Sequence, residues 1–124
     1  MNQLNSLILE GNVATNCVIT KPKPDFLVGK FTMEVERFYK NKENEMTKEI
    51  SYFDIECYGM MAEQLSSKII KGRGIRVVGR LKQETWTDSE NKNHSRVFVV
   101  AEHIEFKLFS QKQEEENEKT FSAE

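Results

Sequence analysis

Residues 71–86 read KGRGIRVVGRLKQETW, and this stretch decides the fold. Two glycines frame a short turn, and after it apolar side chains alternate with basic ones at a period of two residues. That period is typical of a strand with one buried face. The preceding residues 60–71 carry apolar side chains at helical spacing and end at Gly72, a common helix stop. The central pattern is therefore a helix that leads through a glycine turn into an alternating strand.

The rest of the chain supplies further strands on both sides of this pattern. We predict strands over residues 4–20, 26–39, 50–58, 75–86 and 97–108, and one helix over residues 60–71 between the third and fourth strands. Turn or loop residues fill segments 21–25, 40–49 and 87–95. Within the first strand, Gly11 indicates a bulge or a bend.

One helix cannot cover both faces of an open sheet. A five-stranded sheet that closes on itself, with the helix at one end, buries one face and removes most strand edges. The sequence therefore predicts an all-β fold with one helix, a five-stranded OB-type barrel in the order β-β-β-α-β-β.

Charge divides the chain into two parts. The 124 residues carry a net charge of −2, but residues 1–110 carry +1 and residues 111–124 carry −3. We expect one OB-fold domain over residues 1–110 and a short, acidic, disordered tail over residues 111–124. Because the body is nearly neutral, a nucleic-acid site there has to be a local basic stripe.

Several classes of protein are excluded by what the sequence contains. Cys17 and Cys57 stand forty residues apart and form neither a zinc motif nor a disulfide framework. No signal peptide and no apolar run long enough for a membrane span is found, so we expect a cytoplasmic, nucleoid-associated protein. His94 and His103 lack the carboxylates of a metal site, and residues 72–74 do not form a phosphate-binding loop. We expect neither an enzyme nor a cofactor or metal.

The fourth strand carries the strongest functional signal. Arg76, Arg80 and Lys82 share one parity, and continuing that parity places Trp86 on the same side. Cations attract phosphates and aromatic rings stack on bases, so this face suits a single strand of nucleic acid. The alternative is a solvated strand face with Trp86 packed into its own barrel, because tryptophan is usually largely buried.

Further aromatic residues lie on the outward parity of the neighbouring strands. Phe38 does so on the second strand, and Tyr52 and Tyr58 do so on the third. Several such rings favour a functional patch, although burial in a subunit interface would explain them as well. Acidic residues share these faces and would repel phosphate, so we expect part of the surface to contact protein: Glu34, Glu36, Asp54 and Glu56. The turns and loops add basic residues: Lys21, Lys23, Lys40, Lys42, Arg73, Lys92 and Arg96.

Residues 5–106 resemble the bacterial single-stranded DNA-binding proteins. NSLILEGNV at residues 5–13 is similar to the opening strand of that family. Residues 62–65 and 71–81 resemble its helix, turn and fourth strand, and WTD at residues 86–88, followed by Arg96, resembles its tryptophan-bearing hairpin.

The resemblance implies a protein that binds and coats single-stranded DNA without sequence specificity during replication, recombination and repair. It also implies a homotetramer. By motif position, the base-stacking residues of the family correspond to Trp86, Tyr52, Tyr58 and Phe38, and family members often carry Trp at the Phe38 and Tyr52 positions. Replication and repair proteins are implied as partners of the tail. However, residues 120–124 read TFSAE and lack the acidic Pro–Phe ending that recruits them.

Three other binding functions remain open at this point. An OB domain of this size also suits a replication-restart accessory protein or an RNA-binding module. A third possibility is an OB domain that binds only protein, in which case affinity for nucleic acid would be absent even at low salt.

Overall fold

Six strands and one helix make up the computed structural model, which describes residues 1–107. The strands are β1 (Leu7–Val13), β2 (Val18–Lys23), β3 (Phe26–Lys40), β4 (Met46–Tyr58), β5 (Gly74–Thr87) and β6 (Asn93–Phe106). The helix α1 (Gly59–Leu65) is followed by one 3₁₀ turn (Ser66–Lys68) and lies between β4 and β5.

The sheet closes into a five-stranded barrel. Its strands follow the order β1-β5-β6-β4-β3, and β1 pairs with β3 to complete the ring. β4 and β6 run parallel, and the other neighbouring strands run antiparallel. β2 is an additional strand that pairs with β3 outside the ring. The predicted OB-type barrel is therefore confirmed, with one strand more than expected.

The extra strand arises because the predicted strand over residues 4–20 is interrupted. Residues 14–17 leave the ladder, and the Ala14 N–H donates to the Thr32 carbonyl at 2.7 Å. The predicted break at residues 21–25 is also wrong in part, since β2 continues through Pro22 to Lys23. Because β2 lies beside only β3 in the sheet, it is an edge strand, where the missing N–H of a proline is tolerated.

The helix is shorter than the predicted residues 60–71. It ends at Leu65, and after the 3₁₀ turn the backbone of Ile69 leaves helical geometry at φ −88° and ψ 82°. This turn buries the Ile69 side chain completely, and its carbonyl accepts the Cys17 N–H at 3.0 Å. Tertiary burial therefore ends the helix before Gly72 does.

The barrel core follows the predicted alternation. Met33, Ile55, Ile75 and Val77 are fully buried and belong to one apolar cluster. Burial of a side chain of this size contributes about 1.5–3 kcal/mol. A Cβ atom at Gly79 would overlap the Val100 carbonyl, so only glycine permits this close approach of β5 to β6, next to the bulge between Val78 and Gly79.

Two hairpins extend past the closed barrel as two-stranded ribbons. β3 and β4 pair as far as Lys40 and Met46, and β5 and β6 pair as far as Thr87 and Asn93, so each hairpin has a five-residue loop. Both loops are shorter than the predicted 40–49 and 87–95. We call residues 35–53 the β3–β4 arm and residues 82–98 the β5–β6 arm. Residues 1–107 contain no helix that is long and apolar enough to span a membrane.

Candidate nucleic-acid interface

The even-numbered side chains of β3, β4 and β5 point away from the barrel core, together with those of β6 up to Val100. We call this surface the outer face. Cross-strand register places its residues side by side: Glu34 is opposite Tyr52, and Phe38 is opposite Lys48. On the other hairpin, Glu84 is opposite Arg96. The outer face therefore extends over both arms, and its residues Val28, Glu56, Phe98 and Val100 are buried.

Trp86 lies on the outer face near the tip of the β5–β6 arm. Its side chain is 48% exposed, so it is not a barrel core residue. Across the hairpin it pairs with His94, whose ring stacks on the indole with the centroids 5.5 Å apart and the planes 18° apart. The remaining exposed part of the indole offers an aromatic surface that a base can stack on.

A groove at the base of the β5–β6 arm brings together three of the predicted site residues. Its volume is about 320 Å³, and it is lined by Tyr58, Lys82 and Arg96, as well as by Phe26 of β3. The Lys82 Nζ lies 6.0 Å from the centre of the Tyr58 ring, and the Phe26 and Tyr58 rings lie 5.4 Å apart. Two neighbouring rings and a cation in one open groove match the chemistry of a nucleotide.

An ion-pair network crosses the floor of this groove. Glu56 is only 5% exposed, and its Oε2 accepts a hydrogen bond from Arg96 Nη2. Arg96 Nε donates to Glu84 Oε2 at 3.3 Å, and the Tyr58 hydroxyl donates to Glu56 Oε1 at 3.4 Å. Burial and the nearby Glu56 carboxylate raise the pKa of Tyr58 to about 12. Two carboxylates therefore share the Arg96 guanidinium, which also lies 4.2 Å from the centre of the Phe98 ring.

The β3–β4 arm carries two more of the predicted stacking residues. Phe38 and Tyr52 are 61% and 62% exposed on the outer face. Acids surround them: Glu34 stands opposite Tyr52, and Glu36 pairs with Lys48 at 3.2 Å. These two rings are therefore more exposed than Phe26 and Tyr58 in the groove, and they have acidic neighbours.

Lysines lie at or beside the tips of both arms. Lys40 ends β3, Lys42 lies in the loop that follows, and Lys92 lies in the loop of the other hairpin. All three are exposed, and the Lys92 Nζ lies 3.9 Å from the Glu90 carboxylate. Exposed lysines at loop tips can follow a flexible phosphate backbone.

Arg76 and Arg73 lie away from the aromatic end of β5. Arg76 is ten residues before Trp86, or about 30 Å along an extended strand. Its Nε donates to Glu10 Oε1 at 2.6 Å and its Nη1 to Glu105 Oε2 at 3.4 Å. These bonds raise the pKa of Arg76 and, together with Lys107, lower the pKa of Glu10. Arg73 lies over the Phe106 ring at 5.2 Å, in the turn before β5.

Arg80 lies on the outer face between these two groups. It is exposed and pairs in register with Val100. Of the three cations predicted to form a stripe on β5, Lys82 and Arg80 therefore lie towards the groove. Arg76 belongs to an ion-pair network at the other end of the strand.

Three residues that were not predicted as site residues from the sequence lie at this surface. Phe26 and Lys30 line the groove, and His94 stacks on Trp86. Parity would have indicated Phe26 and Lys30, because they share the even numbering of Phe38 in the same strand. The His94 contact depends on the register of β5 against β6, which the alternation does not specify. Within residues 1–107, no cluster of three or more His, Cys, Asp or Glu side chains could hold a metal ion.

Comparison with known proteins identifies the family. The model of the family described as "Single-strand binding protein family" matches residues 4–107. The single-stranded DNA-binding protein of Aquifex aeolicus is 37% identical over 101 residues, covering 82% of this chain and 68% of the relative. That of Wolinella succinogenes is 27% identical over 101 residues, covering 82% and 62%. The chain thus spans less than two thirds of the Wolinella relative.

Solved structures share the fold. A Plasmodium falciparum SSB in complex with ssDNA superposes with a TM-score of 0.76 at 21% identity, covering 87% of this chain and 98% of that one. A small single-stranded DNA-binding protein of Streptomyces coelicolor superposes with a TM-score of 0.66 at 24% identity, covering 87% and 97%. The match over residues 4–107 includes the whole barrel and both arms, and on this basis the chain belongs to the single-strand binding protein family.

Proposed function

We propose that the chain binds and coats single-stranded DNA on its outer face, stacking bases on aromatic rings and contacting phosphates with cations. The observation that carries this proposal is Trp86, the only tryptophan, which is 48% exposed on the same face as Lys82. Family membership supports single-stranded DNA as the ligand. Stacking requires no particular base, so the proposed mode is sequence-tolerant.

The proposed path runs over both arms. Trp86 and Tyr58 stack bases at the β5–β6 arm and its groove, and Phe38 and Tyr52 do so on the β3–β4 arm. The exposed cations near this path contact phosphate: Arg80, Lys82, Lys40, Lys42 and Lys92. The role proposed for Arg96 is mainly structural, because its guanidinium already forms ion pairs with Glu56 and Glu84. Arg73 and Arg76 are secondary contacts, reached only if the strand continues along β5.

We further propose that residues 1–110 are sufficient for binding and that the chain acts in replication, recombination and repair without a catalytic step. Its place of action is then the bacterial cytoplasm and nucleoid. The acidic segment 111–124 lies outside the described residues, and its proposed role is limited to contacts with other proteins.

A homotetramer is the proposed assembly. Several large apolar side chains lie exposed on the described surface: Ile8 (66%), Val97 (58%), Leu81 (47%) and Phe53 (37%). The alternation places Leu81 and Phe53 on the same side of their strands as the core residues. However, they lie near or past the end of the closed barrel, so a single copy of the chain leaves them exposed to water. Light scattering at micromolar concentration should report a mass near four chains. A monomer would contradict the assembly and leave these side chains unexplained.

The binding proposal is tested by fluorescence anisotropy with a labelled oligo(dT). We expect affinity for oligo(dT) to exceed affinity for a duplex of the same length by a wide margin, because a duplex does not expose its base faces. Log affinity should fall linearly with log salt, with a slope near −0.7 per phosphate contacted. Lys82→Ala and Arg80→Ala should each flatten this slope, and Arg76→Ala, the matched control on the same strand, should change it less.

Three outcomes would contradict the proposal. Equal affinity for duplex and single strand would exclude base stacking as the main interaction. A higher affinity for oligo(U) RNA than for oligo(dT) would indicate an RNA-binding module. Absence of binding even at low salt would indicate an OB domain that contacts only protein.

A further inference from the structure

We infer that His94 is a positioning residue for the proposed DNA site: its ring supports Trp86 from behind and holds the indole in place as a platform for one base. This inference rests on the proposed function, because it concerns how the stacking surface is held. The observation behind it is the cross-strand pair itself. Trp86 and His94 are opposite in register, and their rings are nearly parallel, 18° apart, with centroids at 5.5 Å.

The imidazole is itself fixed by the hairpin loop. His94 Nε2 lies 2.6 Å from Asp88 Oδ2. The other oxygen of that carboxylate accepts two backbone N–H groups, from Glu90 and from Lys92, each at 2.9 Å. The Asp88 N–H in turn donates to the Lys92 carbonyl at 2.9 Å. The loop backbone therefore orients Asp88, Asp88 orients His94, and His94 orients the indole.

The hydrogen bonds to Asp88 also stabilise its ionised form. The bond from His94, followed by those from the Lys92 and Glu90 backbone, lowers the pKa of the Asp88 carboxyl. The lowered pKa favours the carboxylate form of Asp88, which is the form that accepts these hydrogen bonds.

The stacking of His94 on Trp86 has two consequences for the proposed DNA binding. The imidazole covers part of one face of the indole, so a base stacks on the open part and the ring accepts one base. The indole is also held before DNA arrives, so less rotamer freedom is lost on binding. Immobilising a flexible side chain in advance corresponds to about a two- to twelvefold gain in affinity.

The chain offers a matched control on the same strand. His103 also lies on β6, is exposed, and bonds a carboxylate, with its Nε2 3.1 Å from Glu105 Oε1. Within residues 1–107, however, His103 stacks on no aromatic ring. Removing His103 therefore removes a surface imidazole and its carboxylate contact without changing Trp86.

The test measures affinity for labelled oligo(dT) by anisotropy in five variants, of which one is the Trp86→Ala single variant. His94→Ala should weaken binding about two- to twelvefold, and His94→Phe, which keeps a ring against the indole, should recover at least half of the loss on a logarithmic scale. His103→Ala should bind as the wild type does. In the Trp86→Ala background, His94→Ala should cause no further loss, because its effect passes through the indole. The fluorescence of Trp86 in the free protein should change in His94→Ala and not in His103→Ala.

Each contrary result has a distinct meaning. Wild-type affinity in His94→Ala, or no recovery by His94→Phe, overturns the inference. Additive losses in the double variant also overturn it, because they place His94 in direct contact with DNA. If Trp86→Ala itself binds as tightly as the wild type, the proposed stacking site is wrong. If Trp86→Ala weakens binding and His94→Ala does not, only the role of His94 is wrong. Thermal melts of each variant exclude loss of folding as the cause, and His94→Phe keeps the test informative if His94→Ala does not fold.

Discussion

Both arms are two-stranded ribbons, but the acidic residues near them differ in their ion-pair partners. At the base of the β5–β6 arm, Glu56 and Glu84 are both engaged by Arg96, and Lys82 lies beside Tyr58. Beside the β3–β4 arm, Glu34 and Asp54 share the outer face with the exposed rings and make no ion pair within residues 1–107, whereas Glu36 on the arm pairs with Lys48. An aromatic residue alone does not make a phosphate-compatible surface. We therefore propose that rings whose neighbouring carboxylates are neutralised contribute most to the proposed DNA binding.

The largest effect is expected on folding when Arg96 is removed. Arg96→Ala leaves the nearly buried Glu56 carboxylate without its cation, and breaking a buried pair in this way typically costs about 3–5 kcal/mol. Chemical denaturation should report a loss towards the lower end of that range, because Arg96 itself is partly exposed. Lys82→Ala, on the same groove, should change the free energy of unfolding by less than about 0.5 kcal/mol. Similar values for the two variants would show that the network does not hold the groove together.

The next largest effect is on DNA affinity, and it compares Trp86 on the β5–β6 arm with Tyr52 on the β3–β4 arm. Trp86→Ala should weaken oligo(dT) binding by about 1–3 kcal/mol, the range for one base–aromatic stack, and Trp86→Phe should recover part of the loss. Tyr52→Ala, at the more exposed but more acidic position, should cost less. Anisotropy of a labelled oligonucleotide measures both variants, since Trp86→Ala removes the intrinsic fluorophore. A larger loss in Tyr52→Ala would reverse the proposed order of the arms.

A third prediction concerns pH and the end of β4, where Cys57 and Tyr58 lie. Burial, more than any other cause, raises the pKa of Cys57 to about 12 and, together with the nearby Glu56, raises that of Tyr58 to about 12. A folded-state pKa above the unfolded value means that the folded protein holds the proton more tightly. The corresponding stability is complete below about pH 9 and is lost as the pH rises towards 12. The melting temperature should therefore fall over this interval, and less steeply in Cys57→Ala. An equal slope in both proteins would mean that the thiol does not contribute.

The smallest effect is expected from the acidic residues beside the β3–β4 arm. Glu34→Gln and Asp54→Asn remove negative charge from the outer face, so the double variant should bind oligo(dT) about two- to threefold more tightly at low salt. The gain should disappear at high salt, because exposed charges are then screened. Glu63→Gln, an exposed charge removal on α1, is the control and should leave affinity unchanged. No change in the double variant would indicate that DNA does not pass over this part of the arm.

Local pattern predicted a large part of the fold. Alternation in residues 26–39, 50–58 and 75–86 assigned the correct face to Met33, Ile55, Ile75 and Val77, because strand parity is a local property. The same alternation places Leu81 and Phe53 on the side of the core residues, but both are exposed. Parity assigns a direction, whereas burial requires a second layer, and these residues lie near or past the end of the closed barrel. The end of the helix was also predicted too late, since a long-range bond from Cys17 to Ile69 ends it.

For the site, the sequence by itself determined which residues share a face. Alternation at a period of two residues places Trp86, Lys82 and Arg80 on one face of the fourth predicted strand. The family resemblance added Phe38, Tyr52 and Tyr58 as further stacking residues. Only the tertiary structure decided which neighbours surround these residues. It buried Glu56 beneath Arg96, forty residues away in sequence, and it placed His94 on the indole. The physical reason is that cross-strand register joins distant segments, and register depends on closure of the whole barrel.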